Sequence, residues 1–509
     1  MPLCRLWIFI WIGLLCGSLR AATSQWAHFA RDGTLVYRTS PGGDRIMDFS
    51  YAGYAGGGVA IPIVSAKRSV RPTGDHDTLV IQRAIDAVSK MPLVDGFRGA
   101  VLLAPGTYVC HHTLTIHSSG VVLRGAGIGK TIIRMAGAKH LCIRVTGGRG
   151  PMITGHPIAL TRYYVPCGTL SLKLQNVHGL SVGDHILIGH PITRRYIHFM
   201  GMDKLFRNGR QEHWISGTVN TLRRITAIRG TRIELNAPLT DSINPHFTDP
   251  PGATVVRCET ANQLAHVGLE NFEILSPPQH GTLFGSRHNG GIQLNGVSNA
   301  WLNHIAIGNT VGAISVGPYA DKITMNRLEI SHATATTGAA LPADFSISGS
   351  RILINRCTDH GSRLFYFVTG ARASGPNVLL NCNFYGNGSI QPHQRWATGL
   401  LVDNCYVPQG SIEFINRGEM GSGHGWTIGW AVAWNCQAHF LVIQNPPGAA
   451  NWAIGCTGLL RTLPMPFTHG PKIPTGIVDH LAVPVDPPSL YLAQLRQRLG
   501  NNAIHNIGY

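Results

Sequence analysis

The chain has 509 residues, 44% of them hydrophobic and 13% charged, so it can bury a large core without needing disulfides or metals to fold. Its 61 Gly and 30 Pro argue against a helical protein and favour a β-rich one with many turns. The formal net charge of +17 favours anionic partners or serves solubility, but no Lys/Arg run reaches five residues, which argues against a nucleic-acid-binding tail.

The N-terminus has the layout of a signal peptide. Arg5 supplies the positive charge, residues 6–15 form an apolar core, and Ala21 or Ala22 is a small residue for cleavage. That core is too short to span a bilayer, and no later segment is long and apolar enough for a membrane helix. The sequence therefore predicts a signal peptide at 1–22 and a soluble, monomeric mature chain that is secreted or periplasmic, with no membrane span.

The first elements of the predicted mature chain are a helix and short strands. Residues 75–90 begin with Asp and Thr and place Ile81, Ile85 and Val88 at helical spacing. Such a helix would cap one end of a solenoid. Residues 99–108 and 121–125 follow as short apolar strands.

Residues 160–245 interrupt this pattern. Segments 179–188 and 223–235 predict a small antiparallel β unit, and the loop between them is rich in basic and aromatic side chains. These include His190, Arg194, Arg195, Tyr196, His198, Arg207, Arg210, His213 and Trp214. A long loop on a solenoid either builds a binding cleft or is an ordinary solvated insertion. In a cleft, Arg would pair with sugar carboxylates and Trp would stack on sugar rings.

The second half of the chain repeats a short apolar strand, then Asn, then a turn. The Asn positions advance by 32, 23, 29, 26, 23 and 31 residues, through Asn271, Asn303, Asn326, Asn355, Asn381, Asn404 and Asn435. Self-similarity at this period is typical of a solenoid, and short strands make it a β-solenoid. Coils ~4.8 Å apart would stack the Asn residues into a hydrogen-bonded ladder. Small apolar Cys residues accompany it, at Cys357, Cys382, Cys405 and Cys436.

The N-terminal block resembles that of pectate-lyase-like β-helix proteins. In that family an Asp-Asp-Thr helix precedes the elements G-x-V-x-L-P-x-G-x-Y and L-x-G, which correspond here to Asp75, Asp77 and Thr78, to residues 99–108 and to residues 123–125. The resemblance covers roughly a fifth of the chain. Together with the repeat, the resemblance implies an all-β fold, namely a right-handed parallel β-helix. The helix would form one domain over residues 23–509, with a capping helix and the insertion as additions.

Residues 360–456 contain the highest density of polar and aromatic side chains. The rungs Asn381, Asn404 and Asn435 bracket two unusual segments, 391–399 and 416–426, so these segments belong to adjacent coils and we expect them to meet on one face. The candidate substrate-binding residues are Arg363, Arg372, Arg395, Trp396, Arg417 and Trp426.

Residues 422–429 resemble the G-H-G-L-S-I-G element of polygalacturonases, which are also β-helical. In those hydrolases an Asp pair precedes this element by about twenty residues, and Asp403 matches one member of the pair. An inverting hydrolase needs two carboxylates ~6.5–9.5 Å apart. Glu413 or Asp359 from another coil would have to supply the second, so a glycoside hydrolase is kept as an alternative.

β-Elimination on an acidic polysaccharide fits the residues better. A lyase needs a base, a proton donor and cations that neutralise the uronate carboxylate, but no carboxylate pair. We predict His424 or His393 as the base, Tyr366 as proton donor, and Arg363, Arg395 and Arg417 as carboxylate ligands. An Arg base, as known in pectate-lyase-like enzymes, and a non-catalytic glycan-binding β-helix are further alternatives.

Acidic residues are sparse in this chain and form no tight cluster in the sequence. Calcium is common in lyases of this kind, but it requires several oxygen ligands, usually carboxylates. The histidines lack the regular spacing of a zinc site. We therefore predict no metal site and no cofactor, with calcium as the alternative, and an anionic polysaccharide rather than nucleic acid as the partner.

Overall fold

Parallel strands stacked coil on coil dominate the computed structural model, which describes residues 21–148, 150–161, 163–468 and 470–509. One hydrogen-bonded network joins 29 strands, and the strands pair in parallel between successive coils. This is the right-handed parallel β-helix that the repeat predicts. The predicted signal peptide lies outside the described residues except for its last two, Ala21 and Ala22.

The strands on either side of the insertion belong to the same solenoid. Before the insertion they are Ala66–Val70, Gly99–Leu103, Gly106–Cys110, Leu114–Ile116, Val121–Arg124, Thr131–Met135 and Leu141–Thr146. After it they are Leu264–Ala265, Gly268–Leu275, Gly290–Asn295, Val297–Gly308, Ile314–Val316, Asp321–Asn326, Glu329–Ser331, Ala343–Ile347, Ser350–Asn355, Thr358–His360, Phe365–Thr369, Ser374–Leu380, Asn383–Tyr385, Ser389–Ile390, Ala397–Asp403, Tyr406–Phe414, Ile428–Gly429, Val432–Trp434, Gln437–Ile443, Trp452–Ile454, Thr457–Leu460 and Ile477–Asp479.

The predicted Asn ladder is present but is divided into two parts. Asn355 donates to Asn326 and Asn326 donates to Asn303, each over 2.9 Å, and Asn404 donates to Asn381 over 2.6 Å. In the first part the residue after each Asn has positive φ, whereas Asn381 and Asn404 adopt positive φ themselves. The residue with positive φ therefore keeps its place in each coil. The Asn directly precedes that residue in the first part of the ladder and occupies its position in the second part.

The hydroxyl of Tyr509 connects the two parts. It donates to Asn355 Oδ1 over 2.6 Å and accepts from Asn381 Nδ2 over 2.7 Å. Beside the ladder, the predicted Cys residues and Cys456 are buried free thiols within the main apolar core. They pack as small apolar side chains, as their positions in the repeat predict.

Helices cover one end and one side of the solenoid. The predicted capping helix forms over Asp77–Ser89 and buries Ile81, Ile85 and Val88 in the main core. The C-terminal helices Leu490–Leu499 and Asn501–Asn506 pack against a side, next to Leu401 and Trp434. No helix among the described residues has the length and apolar composition needed to cross a membrane.

The insertion is an antiparallel sheet that extends beyond the predicted range at both ends. Its seven strands are Met152–Ile153, Ile158–Ala159, Ser171–Lys173, His185–Pro191, Thr218–Arg229, Arg232–Leu235 and Thr254–Glu259. The predicted loop contains the helix Arg194–Phe199 and the hairpin strands Phe206–Arg207 and Arg210–Gln211, and the short helix Pro245–Thr248 lies between the last two strands of the sheet along the chain. Outside these units lie the helical turns Tyr54–Gly56 and Met420–Gly423 and the strands Ala22–Thr23, Ala27–Phe29, Leu35–Tyr37 and Val485–Asp486.

Candidate functional site

The two unusual segments, 391–399 and 416–426, pair with each other on adjacent coils. The N–H of Arg395 donates to the carbonyl of His424, and the N–H of Trp396 to that of Trp426, each over 3.0 Å. The Asn rungs predicted this neighbourhood. Four predicted site residues come together there, and we call them the basic cluster: His393, Arg395, Arg417 and His424.

Arg417 lies at the centre of the basic cluster. Its Nη1 contacts both ring nitrogens of His393, with 3.0 Å to Nε2, and its guanidinium lies 5.5 Å from the ring of Phe365. The rings of His393 and His424 are 5.0 Å apart. Arg395 Nη2 donates to the carbonyl and the hydroxyl of Ser422, both over 2.6 Å.

Both histidines of the basic cluster are neutral at physiological pH. Burial, Arg417 and His424 lower the pKa of His393 to about 3. Burial, Arg417, Arg395 and Arg207 lower the pKa of His424 to about 4. A neutral imidazole can accept a proton, so the cluster combines candidate bases with fixed positive charge.

No carboxylate is in direct contact with the arginines of the basic cluster among the described residues, although the charge of Glu413 acts on Arg417. Among the described residues neither Arg395 nor Arg417 forms an ion pair, although Arg417 is only 5% exposed. The Nε atoms of both, and Nδ1 of His424, are buried without a hydrogen-bond partner. An unpaired buried N–H costs about 1–3 kcal/mol, and more when the group is charged. The arrangement is therefore complementary to an anionic ligand.

The glycines beside His424 serve the docking of the insertion. A Cβ on Gly425 would lie 2.4 Å from Trp214 Cδ1, and one on Gly423 would lie 2.9 Å from Glu212 Cβ. Both glycines also have positive φ. Their missing side chains let the insertion loop approach the coil that carries His424.

The two predicted tryptophans are almost completely enclosed. Trp396 is 1% exposed and Trp426 is 6% exposed. Trp426 Nε1 donates to Met200, and Trp214 Nε1 donates to the Trp426 carbonyl, both over 3.0 Å. Trp426 therefore joins the insertion to the coils, and stacking of a sugar on its faces is not compatible with this packing.

Two other predicted catalytic residues lie in the apolar cores, away from any ligand. Tyr366 is 0% exposed, its hydroxyl bonds the backbone at Gly361 and Gly388 over 3.1 Å each, and burial raises its pKa to about 12. It cannot donate a proton to a polymer from this position. Asp403 is also 0% exposed and accepts from Ser489 and from the Tyr491 N–H, so it holds the start of the C-terminal helix.

The remaining predicted arginines are exposed and separate from the basic cluster. Arg363 donates to the carbonyl of Gly338 over 2.9 Å. Arg372 approaches the carbonyl of Ser216 over 3.4 Å. Their contacts place neither side chain against the four residues of the cluster, which corrects the proposed role of Arg363 as a ligand there.

Arg207, in the insertion loop, adds to the positive potential around His424. Its Nη1 donates to the carbonyl of Gly421 over 2.9 Å, and its charge contributes to the lowered pKa of His424. The sequence marked this loop as basic, but it could not show which of its cations reaches the cluster.

A second feature is an aromatic cavity of about 470 Å³ between the N-terminal segment, the insertion and the coils. Sequence reasoning did not assemble it, because its residues come from three distant parts of the chain. Its aromatic lining consists of Trp26, Tyr164, His190, Tyr196, Phe199, Phe247, Trp396, Trp430 and Trp452.

Asp241 organises one wall of the aromatic cavity. Its carboxylate accepts from Trp396 Nε1 over 2.7 Å and from Trp430 Nε1 over 3.0 Å. His190 lies beside it, with Nδ1 3.5 Å from Asp241 Oδ2. Asp44 lies in the same lining and accepts from the Tyr164 hydroxyl over 2.7 and 2.8 Å. The cavity thus has carboxylates where the basic cluster has cations.

Among the described residues, two groups of side chains could hold a metal ion, since their ligand atoms lie within 4.8 Å of one another. One consists of the exposed Asp75 and His76 with the half-buried His111. The other consists of His332, Asp344 and the fully buried Asp359. In it His332 Nε2 lies 2.8 Å from Asp344 Oδ2, and burial and Asp344 raise the pKa of Asp359 well above its usual range.

No protein-family model matches the chain, and no curated protein matches it either. Solved structures resemble it in fold. The tailspike gp61 of Pseudomonas phage phi297 is 10% identical, covering 79% of this chain and 72% of that one with a TM-score of 0.29. A polygalacturonase from Erwinia carotovora ssp. carotovora is 11% identical, over 80% and 98%, with a TM-score of 0.36. The mannuronan C-5 epimerase AlgE6 A-module of Azotobacter vinelandii is 11% identical, over 82% and 98%, with a TM-score of 0.32. These likenesses concern the fold alone, and the parallel β-helix of this chain is shown by its own sheet topology.

Proposed function

We propose that the protein cleaves an acidic polysaccharide by β-elimination at the basic cluster. The observation that carries the proposal is a pair of arginines without a direct ion pair among the described residues, Arg417 buried and Arg395 half-buried, beside two neutral histidines. A uronate carboxylate is the kind of anion that such arginines bind, because guanidinium donors pair with carboxylate oxygens.

Arg395 and Arg417 neutralise the uronate in this proposal. Removal of the proton next to the carboxylate places negative charge on the carboxylate oxygens as an enolate forms. Cations positioned before the reaction stabilise that charge without further reorganisation. Arg417 suits this role because burial lowers its pKa only to about 10, so it remains charged at neutral pH.

His424 acts as the base. Its Nδ1 is enclosed, so the proton acceptor is the other ring nitrogen, Nε2, whereas both ring nitrogens of His393 face Arg417. Nε2 takes the proton from C5 of the uronate, a C4–C5 double bond forms, and the C4–O bond breaks. The departing oxygen requires one proton, and the imidazolium of His424 carries it. This replaces Tyr366 as the proton donor.

The hydrolase alternative has weaker support in the geometry. It requires a free carboxylate pair, and the carboxylates next to the basic cluster are already bonded. Glu413 accepts from Gln391 and from Ser411, and Glu419 accepts from the N–H of Phe206 over 3.0 Å.

The proposal also includes export of the chain through the predicted signal peptide. Outside the cell, the protein would meet extracellular polysaccharide as a monomer.

The test is a screen of the purified protein on pectate, alginate, glucuronan and bacterial exopolysaccharides. Ultraviolet absorbance detects the unsaturated product of elimination, and a reducing-end assay detects cleavage of either kind. We expect both signals on an acidic polymer, their loss in His424→Gln, and their retention in the matched control His439→Gln, a change at an exposed histidine on another coil.

Other outcomes of this screen contradict the proposal in distinguishable ways. Reducing ends without absorbance would establish a hydrolase. Retention of the polymer without either signal would indicate a non-catalytic binder. Equal cleavage of neutral and acidic polymers would show that the cations do not select the substrate.

A further inference from the structure

We propose that the aromatic cavity is a second carbohydrate site, and that it binds a neutral pyranose. Its lining contains none of the four residues of the basic cluster, all of which are described. The inference therefore stands whether or not β-elimination occurs.

The first argument is a set of buried polar atoms that lack partners. His190 is 6% exposed, and neither of its ring nitrogens has a hydrogen-bond partner. The same holds for the indole nitrogens of Trp26 and Trp452, which also line the cavity. Buried polar groups in folded proteins are nearly always paired, so a cluster of exceptions around one cavity indicates a missing ligand. Sugar hydroxyls both accept and donate, which suits an indole N–H and an imidazole alike.

The second argument is the orientation of the tryptophans. Asp241 binds the polar edges of Trp396 and Trp430, so these rings are fixed in place with their remaining surface apolar. Trp430 and Trp452 lie 6.1 Å apart at 37°, and Trp26 meets Trp452 at 5.7 Å and 67°. Trp396, Trp430 and Trp452 are almost completely enclosed and form the apolar wall, whereas the half-buried Trp26 keeps ring surface that can pack against the C–H face of a pyranose.

The third argument concerns charge. Asp44 and Asp241 both line the cavity, and no described Arg or Lys does. A uronate would bring a third carboxylate into a partly enclosed space, where repulsion between like charges is strong. A neutral sugar avoids this repulsion. The volume of about 470 Å³ lies within the ~300–1,000 Å³ range of small-molecule sites.

The experiment measures binding of methyl α-D-glucopyranoside, methyl β-D-galactopyranoside and methyl α-D-mannopyranoside to the full chain, with D-glucuronate as the charged counterpart. Tryptophan fluorescence and calorimetry give the dissociation constants. We expect at least one neutral glycoside to bind at least tenfold more tightly than glucuronate.

Two variants locate the binding in the cavity. Trp452→Leu removes an aromatic surface and should weaken binding at least tenfold. His190→Asn changes fewer packing contacts and should weaken it about threefold or more, which keeps the test decisive if Trp452→Leu does not fold. Arg363→Gln is the matched control and should bind as the unmodified chain does. Absence of binding by all three glycosides, tighter binding of glucuronate, or unchanged affinity in a folded His190→Asn variant would overturn the proposal.

Discussion

The basic cluster and the aromatic cavity are both completed by the same insertion, yet their chemistry is opposite. The first contains two arginines whose buried Nε atoms have no hydrogen-bond partner among the described residues, and the second contains carboxylates and indoles. The insertion contributes Arg207 to the surroundings of one, and His190 and Asp241 to the other. A polymer with alternating acidic and neutral sugars would have a complementary surface at each site.

The largest expected effect comes from removing the central cation of the basic cluster. Arg417→Gln deletes the charge that faces His393 and stabilises the developing enolate. Loss of one such preorganised group costs about 10²–10³ in kcat. We expect that decrease in kcat on the acidic polymer, with unchanged affinity of the aromatic cavity for its glycoside.

Arg363→Gln is the control for this change, because Arg363 is exposed and its guanidinium donates to the carbonyl of Gly338, while the hydrogen bond from its N–H to Asn387 does not depend on the side chain. Its kcat should stay within twofold of the unmodified chain. An equal loss in both variants would mean that general surface charge, rather than the basic cluster, drives activity.

A second change tests the aromatic cavity. Asp241→Asn replaces a carboxylate that accepts from two indoles with an amide that has one acceptor oxygen. Hydrogen bonds to charged groups contribute about 1.5–3 kcal/mol each, so we expect a loss of about 2 kcal/mol in the free energy of unfolding by urea.

Asp241→Asn should also lose binding of the neutral glycoside, while its cleavage of the acidic polymer stays within about threefold of that of the unmodified chain. Loss of both glycoside binding and polymer cleavage in a folded protein would show that the two sites form one cleft. The basic cluster and the aromatic cavity would then not be separate sites.

These two regions also differ in how far the sequence predicts them. The basic cluster joins segments only 24 to 31 residues apart, His393 with Arg417 and with His424, and the Asn repeat places such segments on adjacent coils. The aromatic cavity joins Asp44, Asp241 and Trp430, whose separations have no period. No repeat could have brought them together.

The burial of side chains that point outward from the coils is the other feature that the repeat does not predict. Alternation along a strand predicts that side chains point inward or outward, but the outward face here is itself covered. Asp403 lies under the C-terminal helix, and Trp426 lies under the insertion. Both were predicted as exposed site residues because the covering elements are distant in sequence.

A third change concerns pH and the insertion's contribution to the basic cluster. A base whose pKa is about 4 stays unprotonated down to that pH, so kcat/KM on the acidic polymer should hold from neutral pH to about 5 and fall below 4. In Arg207→Gln one cation near His424 is gone, the protonated imidazole is less disfavoured, and its pKa rises toward its usual range. We expect the acidic limb of the pH profile to move up by a fraction of a pH unit.

A profile that is unchanged in Arg207→Gln, together with loss of activity in His393→Gln, would assign the titrating base to His393 instead. Binding of the neutral glycoside is the control. Its affinity for the aromatic cavity should be the same in the unmodified chain and in Arg207→Gln at each pH.

The smallest effect on activity is expected at Asp403, which belongs to neither region. Burial raises its pKa from its ordinary value to about 7, against the opposing hydrogen bonds from Ser489 and Tyr491. The folded chain therefore binds this proton more tightly than the unfolded chain does. The resulting stability is fully present below about pH 4 and is lost as pH rises through about 7. Asp403→Asn cannot ionise, so its unfolding free energy relative to the unmodified chain should increase between pH 4 and 7, by at most about 1.4 kcal/mol per pH unit. Urea denaturation at pH 4.5 and 7.5 measures this difference, while cleavage and glycoside binding should both remain within twofold, because Asp403 acts on the C-terminal helix alone.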